Sequence, residues 1–382
     1  MRTVRSISRK RWKDWRFFIG RDPSSLPPRS IILLPHQPDT LFCGLAGILA
    51  IRGAPRPADD PVERLAALSK PLKMAGLEHV VPEAFLGEQT LKDMEAALYD
   101  LKQDIDRQFA LHRDGGLKDL SAIADELAEL IKSQEAFLEQ RAGEFSISAL
   151  EIISSRLIAL KDIQWGLRQD LLANQEKILS LSGGEALQAA RIFRKYQRLN
   201  FLLNALDRLE VRGRDSTGIQ ISLAVAEKAM AEIIQSLKDQ GLFESFDRRS
   251  HASDLLHGSI SRFSSGMAFT YKTASITGEL GKNCRELRQA IQDDAIFKAV
   301  VRHEDAGDMY LAHTRWASVG AINILNCHPV NNCTLATATH TPEGGKDYPA
   351  YGQGQWFINV VLNGDIDNYL EIKARAESQG RL

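Results

Sequence analysis

Four short segments carry side chains that fit one chemistry. Cys43 stands in Leu41-Phe42-Cys43-Gly44-Leu45-Ala46-Gly47-Ile48, and Arg212 and Gly213 open Arg212-Gly213-Arg214-Asp215-Ser216-Thr217-Gly218. Arg315, Trp316 and Ser318 lie in His313-Thr314-Arg315-Trp316-Ala317-Ser318, and Asn363 and Gly364 begin Asn363-Gly364-Asp365-Ile366-Asp367-Asn368-Tyr369. A cysteine thiolate attacks a carboxamide carbonyl, but a free thiol titrates near about 8.5 and needs a base. No histidine follows Cys43 closely; His36 lies upstream. Cleavage between Phe42 and Cys43 would free an α-amino group of pKa about 7.7–8.0, making nucleophile and base one residue. Arg315 offers the planar fork that suits a carboxylate. The Asn363 amide and the Gly364 N–H supply two donors for an oxyanion. Gly213 permits a tight turn that would bring backbone against the cysteine amine. Each segment alone has a plainer reading, as a buried thiol, a surface ion pair or a turn. All four, in this order, favour the chemical one.

The elements that must position these residues follow from the hydrophobic pattern. Residues 1–42 read as a leader, because Pro27-Pro28, Pro35 and Pro38 break any long element. Its first sixteen residues carry Arg2, Arg5, Arg9, Lys10, Arg11, Lys13 and Arg16 against Asp14. A solvated, flexible leader is the reading preferred over a transit peptide or a nucleic-acid arm. Cys43 to Ile51 reads as a buried strand stopped by Arg52-Gly53-Ala54-Pro55. Residues 54–90 allow only short helices. Leu91, Met94, Leu98, Leu101, Ile105 and Phe109 then recur at spacings of three and four, as on one helix face. Further helices are expected through Leu120 to Phe137, Ile153 to Leu171 and Leu187 to Leu209, giving an antiparallel bundle or arm. Ile219 to Leu223 alternates like a half-exposed strand, followed by a helix over Ala224 to Gln240 and a polar Ser/Arg/His-rich loop. A strand over 267–278 and a helix from about Lys282 come next. Met309 to Ala312 and Trp356 to Leu362 read as apolar strands, each running straight into one of the four segments.

Composition narrows the class. The 382 residues, 44% hydrophobic and 25% charged, suit one large or two ordinary domains. A net charge of −1 carries no global footprint for nucleic acid. The longest apolar run, Leu41 to Ile51, has 11 residues, well short of the ~20 that span a bilayer. The four cysteines form no CxxC pair, so a reducing, cytoplasmic setting is expected rather than a disulfide framework. Cys327, His328 and Cys333 match no standard zinc spacing and read as buried thiols beside a loop. Neither a metal nor a cofactor is expected.

Together the four segments resemble the glutaminase domain of class II glutamine amidotransferases. They are most similar to the glutaminase half of glutamine–fructose-6-phosphate aminotransferase (isomerising). That family shows a Cys-Gly start, a segment Leu-x-x-Leu-Glu-Tyr-Arg-Gly-Tyr-Asp-Ser-Ala-Gly, then His-Thr-Arg-Trp-Ala-Thr with Ala-His-Pro downstream, and Asn-Gly-x-Ile-x-Asn-Tyr. The second segment here runs from Leu206 through Glu210 to Gly218 and departs from that pattern at Val211, Arg214 and Thr217. Cys327-His328-Pro329 stands in place of Ala-His-Pro, and Val319 where a histidine is often found.

The resemblance implies an α+β fold, an Ntn-type four-layer αββα sandwich with a large inserted helical bundle. It implies Cys43 as nucleophile and amine base, with Arg212 and Gly213 lining the amine. Arg315 would bind the glutamine carboxylate, with Trp316 and Ser318 on the same loop, and Asn363 and Gly364 would form the oxyanion hole. Cys43 lies 169 positions before Arg212, where a strand and a helix need only about 25. The expected organisation is therefore a leader or propeptide over 1–42, an amidotransferase domain over 43–56 and 196–382, and a helical insertion over 57–195. The family's aspartate for the glutamine ammonium falls beyond Leu382, so the domain is expected to be C-terminally incomplete. The implied activity is hydrolysis of glutamine to glutamate and ammonia, the ammonia serving glucosamine-6-phosphate synthesis on a sugar-isomerase domain missing from this chain. A homo-oligomer is expected, with neither nucleic acid nor membrane as partner. Two alternatives remain: an inactive amidotransferase-like shell that assembles through its helical arm, and the glutaminase part of another class II enzyme such as amidophosphoribosyltransferase.

Overall fold

The computed structural model describes residues 44–49, 59–184, 187–253, 255–263, 266–275, 279–303, 307–317, 320–332, 357–364 and 366–380. Its centre is a five-stranded antiparallel sheet of β1 (Gly44–Leu49), β2 (Ser216–Ala224), β3 (Ile260–Phe263), β4 (Gly266–Ala274) and β5 (Gly307–Arg315), in the order β1-β5-β2-β4-β3. Strand alternation sorts the side chains onto two faces. Ile219, Ile221 and Leu223 share one face with Tyr271, Phe269 and Met267 of β4, and with Ala312 and Tyr310 of β5. These residues are buried in one core with Leu199, Leu202, Leu203 and Leu206 of the long helix and Leu287 and Ile291 of a later one.

The opposite face is not the half-exposed surface that the alternation of Ile219 to Leu223 predicts. Gln220 and Ser222 are buried too. A short ladder of β6 (Val330–Asn331) and β7 (Asn359–Val360) lies over this face. Asn359 Nδ2 donates to Ser222 Oγ at 3.3 Å and Asn331 Nδ2 to Ser261 Oγ at 3.1 Å, while Gln220 Nε2 donates to Thr270 Oγ1 at 2.9 Å. Each of these side chains finds one partner, although Gln220 Oε1 and Asn359 Oδ1 have none among the described residues. The predicted strand over Trp356 to Leu362 shrinks to Asn359–Val360 among the described residues; Trp356 lies outside them.

The helices are α1 (Pro61–Ser69), α2 (Glu88–Gln103), α3 (Ile105–Asp114), α4 (Leu117–Arg141), α5 (Ile147–Trp165), α6 (Ala173–Leu181), α7 (Ala190–Leu209), α8 (Glu227–Asp239), α9 (Phe243–Ser250), α10 (Lys282–Asp293), α11 (Ala295–Val301) and α12 (Tyr369–Ser378). A π-helical stretch, Gly166–Leu172, joins α5 to α6. The single helix expected over Leu91 to Phe109 is two. Asp104 leaves helical geometry and its carboxylate accepts from Arg107 N at 2.9 Å, so it ends α2 and caps α3. The polar loop expected after Gln240 contains α9, held by the buried ring of Phe246 and by Arg249 paired with Asp294 at 2.5 Å. Helices α1 to α5 and the π stretch enclose a second core, from Val62 to Leu171. Phe109 of α3 and Ile178 and Leu181 of α6 instead join the sheet core. The fold is thus α+β, with an antiparallel sheet and a helical bundle.

One contact ties the end of α7 to the start of α10. Glu210, fully buried, accepts from Gly281 N at 2.5 Å and from Cys284 N at 2.9 Å. Gly281, at the N-cap of α10, has no side chain to cap the helix, so Glu210 does it from outside. Glu210→Gln should lower stability by about 1–2 kcal/mol in denaturant titrations, because one amide would face an NH2 group. An unchanged midpoint would show that the carboxylate is dispensable.

Candidate active site

The described parts of the first three segments meet at one end of the sheet, and Leu362, just before the fourth, joins them there. The first two meet through β5. Gly44 pairs with Thr314, and its N–H donates to Thr314 Oγ1 at 3.0 Å; that hydroxyl in turn donates to Leu209 O at 3.4 Å. A side chain at position 44 has no room, since a Cβ would lie 2.6 Å from Thr314 Oγ1 and 2.7 Å from Leu209 Cβ. Cys43 lies outside the described residues; the Gly44 nitrogen bonded to its carbonyl is the nearest described atom.

The turn after α7 is closed by Arg212 N to Leu209 O at 2.8 Å and Gly213 N to Glu210 O at 3.2 Å. It lies flat on the end of β5. A Cβ on Gly213 would come within 2.6 Å of the Arg315 carbonyl carbon and 2.7 Å of Trp316 N. Glycine is required by close approach of two backbones, not by the turn alone. Asp215 locks the same junction: its N–H donates to Arg315 O at 3.1 Å and its carboxylate accepts from Ala317 N at 2.7 Å. The sequence reading gives Asp215 no role. The signal is an acidic residue two positions past a glycine turn, within reach of a loop amide.

Arg315 is half-buried, and its Nη1 donates to Ala321 O at 3.0 Å. Trp316 is exposed beside it, and Ser318 lies outside the described residues. Asn363 and Gly364 are exposed, and Gly364 has φ +141°, a conformation glycine adopts readily. They are tied to the other segments through their neighbour Leu362. Its carbonyl accepts from His313 Nε2 at 2.9 Å, and its N–H donates to His328 Nδ1 at 3.0 Å. The sequence reading gives neither histidine a role at this site, weighing His328 only as a metal ligand, although both stand inside the motifs that carry the resemblance.

Burial dominates the electrostatics. It pulls His313 down to about 4, helped by the nearby His328 and Arg315, and it also lowers His328, helped by Lys272 and Arg315. Both imidazoles are neutral at physiological pH. Burial likewise pushes the thiols of Cys284 and Cys327 up, so neither is a thiolate at neutral pH. Among the described residues no group of three or more His, Cys, Asp or Glu is placed to hold a metal ion; Cys333 lies outside them.

Comparison with known proteins gives a distant relationship. Over 110 residues the chain is 28% identical to glutamine--fructose-6-phosphate aminotransferase [isomerizing] of Thermus thermophilus, in both of the strains compared. The alignment covers 29% of this chain and 15% of the relatives' length. No family model matches the chain, and no solved structure matches it significantly.

Proposed function

We propose that this chain is a glutaminase unit of the class II amidotransferase type. The observation that carries the reading is the convergence of Gly44, the Arg212–Gly213 turn, the Arg315–Trp316 loop and the segment leading into Asn363–Gly364 at one sheet end. The distant similarity to an aminotransferase that uses glutamine points the same way. In this reading residues 1–42 are removed and Cys43 becomes N-terminal. Its amine takes the thiol proton as sulfur attacks the glutamine Cδ. The oxyanion is met by the Asn363 side-chain amide and the Gly364 N–H. Collapse expels ammonia, which carries off the proton, and leaves a γ-glutamyl thioester; water then releases glutamate and restores the thiol. Arg315 takes the α-carboxylate, and the Arg212–Gly213 turn lines the amine. Trp316 and Ser318 stand on the same loop.

The same reading makes the fold an Ntn-type sandwich in which helices of 57–195 are an insertion between 43–56 and 196–382. The ammonia would pass to a sugar-phosphate acceptor domain, in a cytoplasmic homo-oligomer. A second reading, a non-catalytic shell that assembles through its arm, is favoured by one feature: Ile147, Ile158 and Trp165 are exposed along one side of α5. Intact mass and glutamate release, measured on the same purified sample, separate them. The glutaminase reading expects loss of residues 1–42 together with glutamine turnover. Full activity with the leader retained would sink the amine mechanism, and background turnover after processing would favour the shell.

A further inference from the structure

Beyond Val360 the chain leaves the ladder with β6, and the backbone of Leu362 loses its strand partner. A backbone N–H and C=O near a sheet still need partners. Two imidazoles supply both. His328 Nδ1 accepts the Leu362 N–H at 3.0 Å, and His313 Nε2 lies 2.9 Å from the Leu362 carbonyl. The ring centroids are 5.0 Å apart, tilted by 47°. The donor and acceptor roles fix the tautomers. His313 carries its proton on Nε2, which agrees with a buried Nδ1 that has no partner among the described residues. His328 must keep Nδ1 bare to accept. The Leu362 side chain is itself exposed, so apolar burial does not anchor this residue.

Both rings are rigidly mounted. His313 is on β5, 1% exposed and paired with Gly218 of β2. The His328 carbonyl rests directly over that same Gly218. The residues immediately after Leu362 are Asn363 and Gly364, so what fixes the Leu362 peptide fixes the start of the oxyanion segment.

We infer that His313 and His328 are positioning residues that clamp the Leu362 backbone and so hold Asn363 and Gly364 in place at the sheet end. The purpose of the clamp rests on the glutaminase reading; its geometry does not. The clamp needs a neutral His328, whereas a second proton on His313 would leave its Nε2–H donating to Leu362 O. A proton on His328 Nδ1 would face the Leu362 N–H, donor against donor. The charged groups facing the pair are Lys272 of β4 and Arg315 of β5, with the Cys327 thiol buried beside them, and both cations disfavour an imidazolium. His328, held below its ordinary value near 6.5, stays neutral at neutral pH and releases the Leu362 N–H only as pH falls below that range.

The test uses the full chain and four variants. His328→Asn places Oδ1 where Nδ1 was, and His313→Gln places an NH2 where Nε2–H was; His328→Leu and His313→Leu remove the contacts. Amide exchange of the 357–364 peptide, corrected for intrinsic rate, and glutamine turnover are read together. The leucine variants should exchange faster and lose kcat, each by roughly tenfold or more, with KM little changed. The Asn and Gln variants should hold near wild type. Wild-type protection should fall in acid while that of His328→Asn persists. Leucine variants that exchange like wild type would overturn the clamp, as would folded Asn and Gln variants no better than Leu. If wild type does not hydrolyse glutamine, the glutaminase reading fails alone and the exchange data still decide the clamp.

Discussion

Cys43→Ala is expected to abolish glutamine hydrolysis, lowering kcat by roughly a thousandfold or more. The size of the loss follows from what else is available. A thioester needs a thiolate, and the two described thiols cannot supply one, because Cys284 and Cys327 are buried and held protonated. Neither His313 nor His328 is a good remote base: burial pulls the first down to about 4, and the bare Nδ1 of the second already accepts the Leu362 N–H. The fold should survive, because the Gly44 N–H on Thr314 Oγ1 and the pairing of β1 with β5 anchor β1. Glutamate release and circular dichroism on the same samples check both halves. Cys43→Ser adds a sharper arm: the amine base stays, but the hydroxyl is a far weaker nucleophile, so it should resemble alanine rather than wild type. An alanine variant retaining more than about a tenth of the activity would end the Cys43 mechanism.

Much of this arrangement is legible in the residues, and the losses have physical causes. The helix and strand periodicities locate α4, α5, α7, α8, α10, β2, β4 and β5, because one face of each must be apolar to join a core. The break at Asp104 is hidden because the apolar spacing continues across it, while the cap depends on a single carboxylate. Helix α9 is hidden because its anchors are one ring, Phe246, and an ion pair to Asp294 far along the chain. Burial of the polar side of β2 cannot be read from alternation. Gln220 and Ser222 look solvent-facing until Thr270 and Asn359 arrive from distant segments to pair with them. At the site, residue type points to the groups that would touch a substrate and misses those that hold the frame. Glu210, Asp215, His313 and His328 all satisfy backbone atoms, and that work depends on three-dimensional neighbours that no spacing announces.

Gly218→Ala should be among the most damaging single methyl groups in the sheet, costing about 3 kcal/mol. The last residue of the Asp215-Ser216-Thr217-Gly218 run is paired on both sides, with Lys272 of β4 and His313 of β5, so its own backbone cannot retreat. A Cβ there would penetrate the His328 carbonyl oxygen and sit 3.1 Å from its carbon and 3.2 Å from Cys327 Sγ. The obstacle is backbone, not the end of a side chain that could rotate away. The Cys327–His328 loop must therefore lift off the sheet. Lifting it withdraws His328 Nδ1 from the Leu362 N–H, so stability and site geometry should fail together. Gly47 provides the control, since it lies on the same face of the edge strand β1 and a Cβ there would meet Tyr310 O at 3.4 Å and Leu311 Cδ1 at 3.6 Å. Gly47→Ala should therefore change stability by less than about 1 kcal/mol. Denaturant midpoints at constant slope measure both, and the 357–364 amide exchange shows whether the Leu362 segment has come loose. If Gly218→Ala matched Gly47→Ala in both readouts, the Cys327–His328 loop would not rest on β2, and the assembly of the fourth segment onto the sheet would need another explanation.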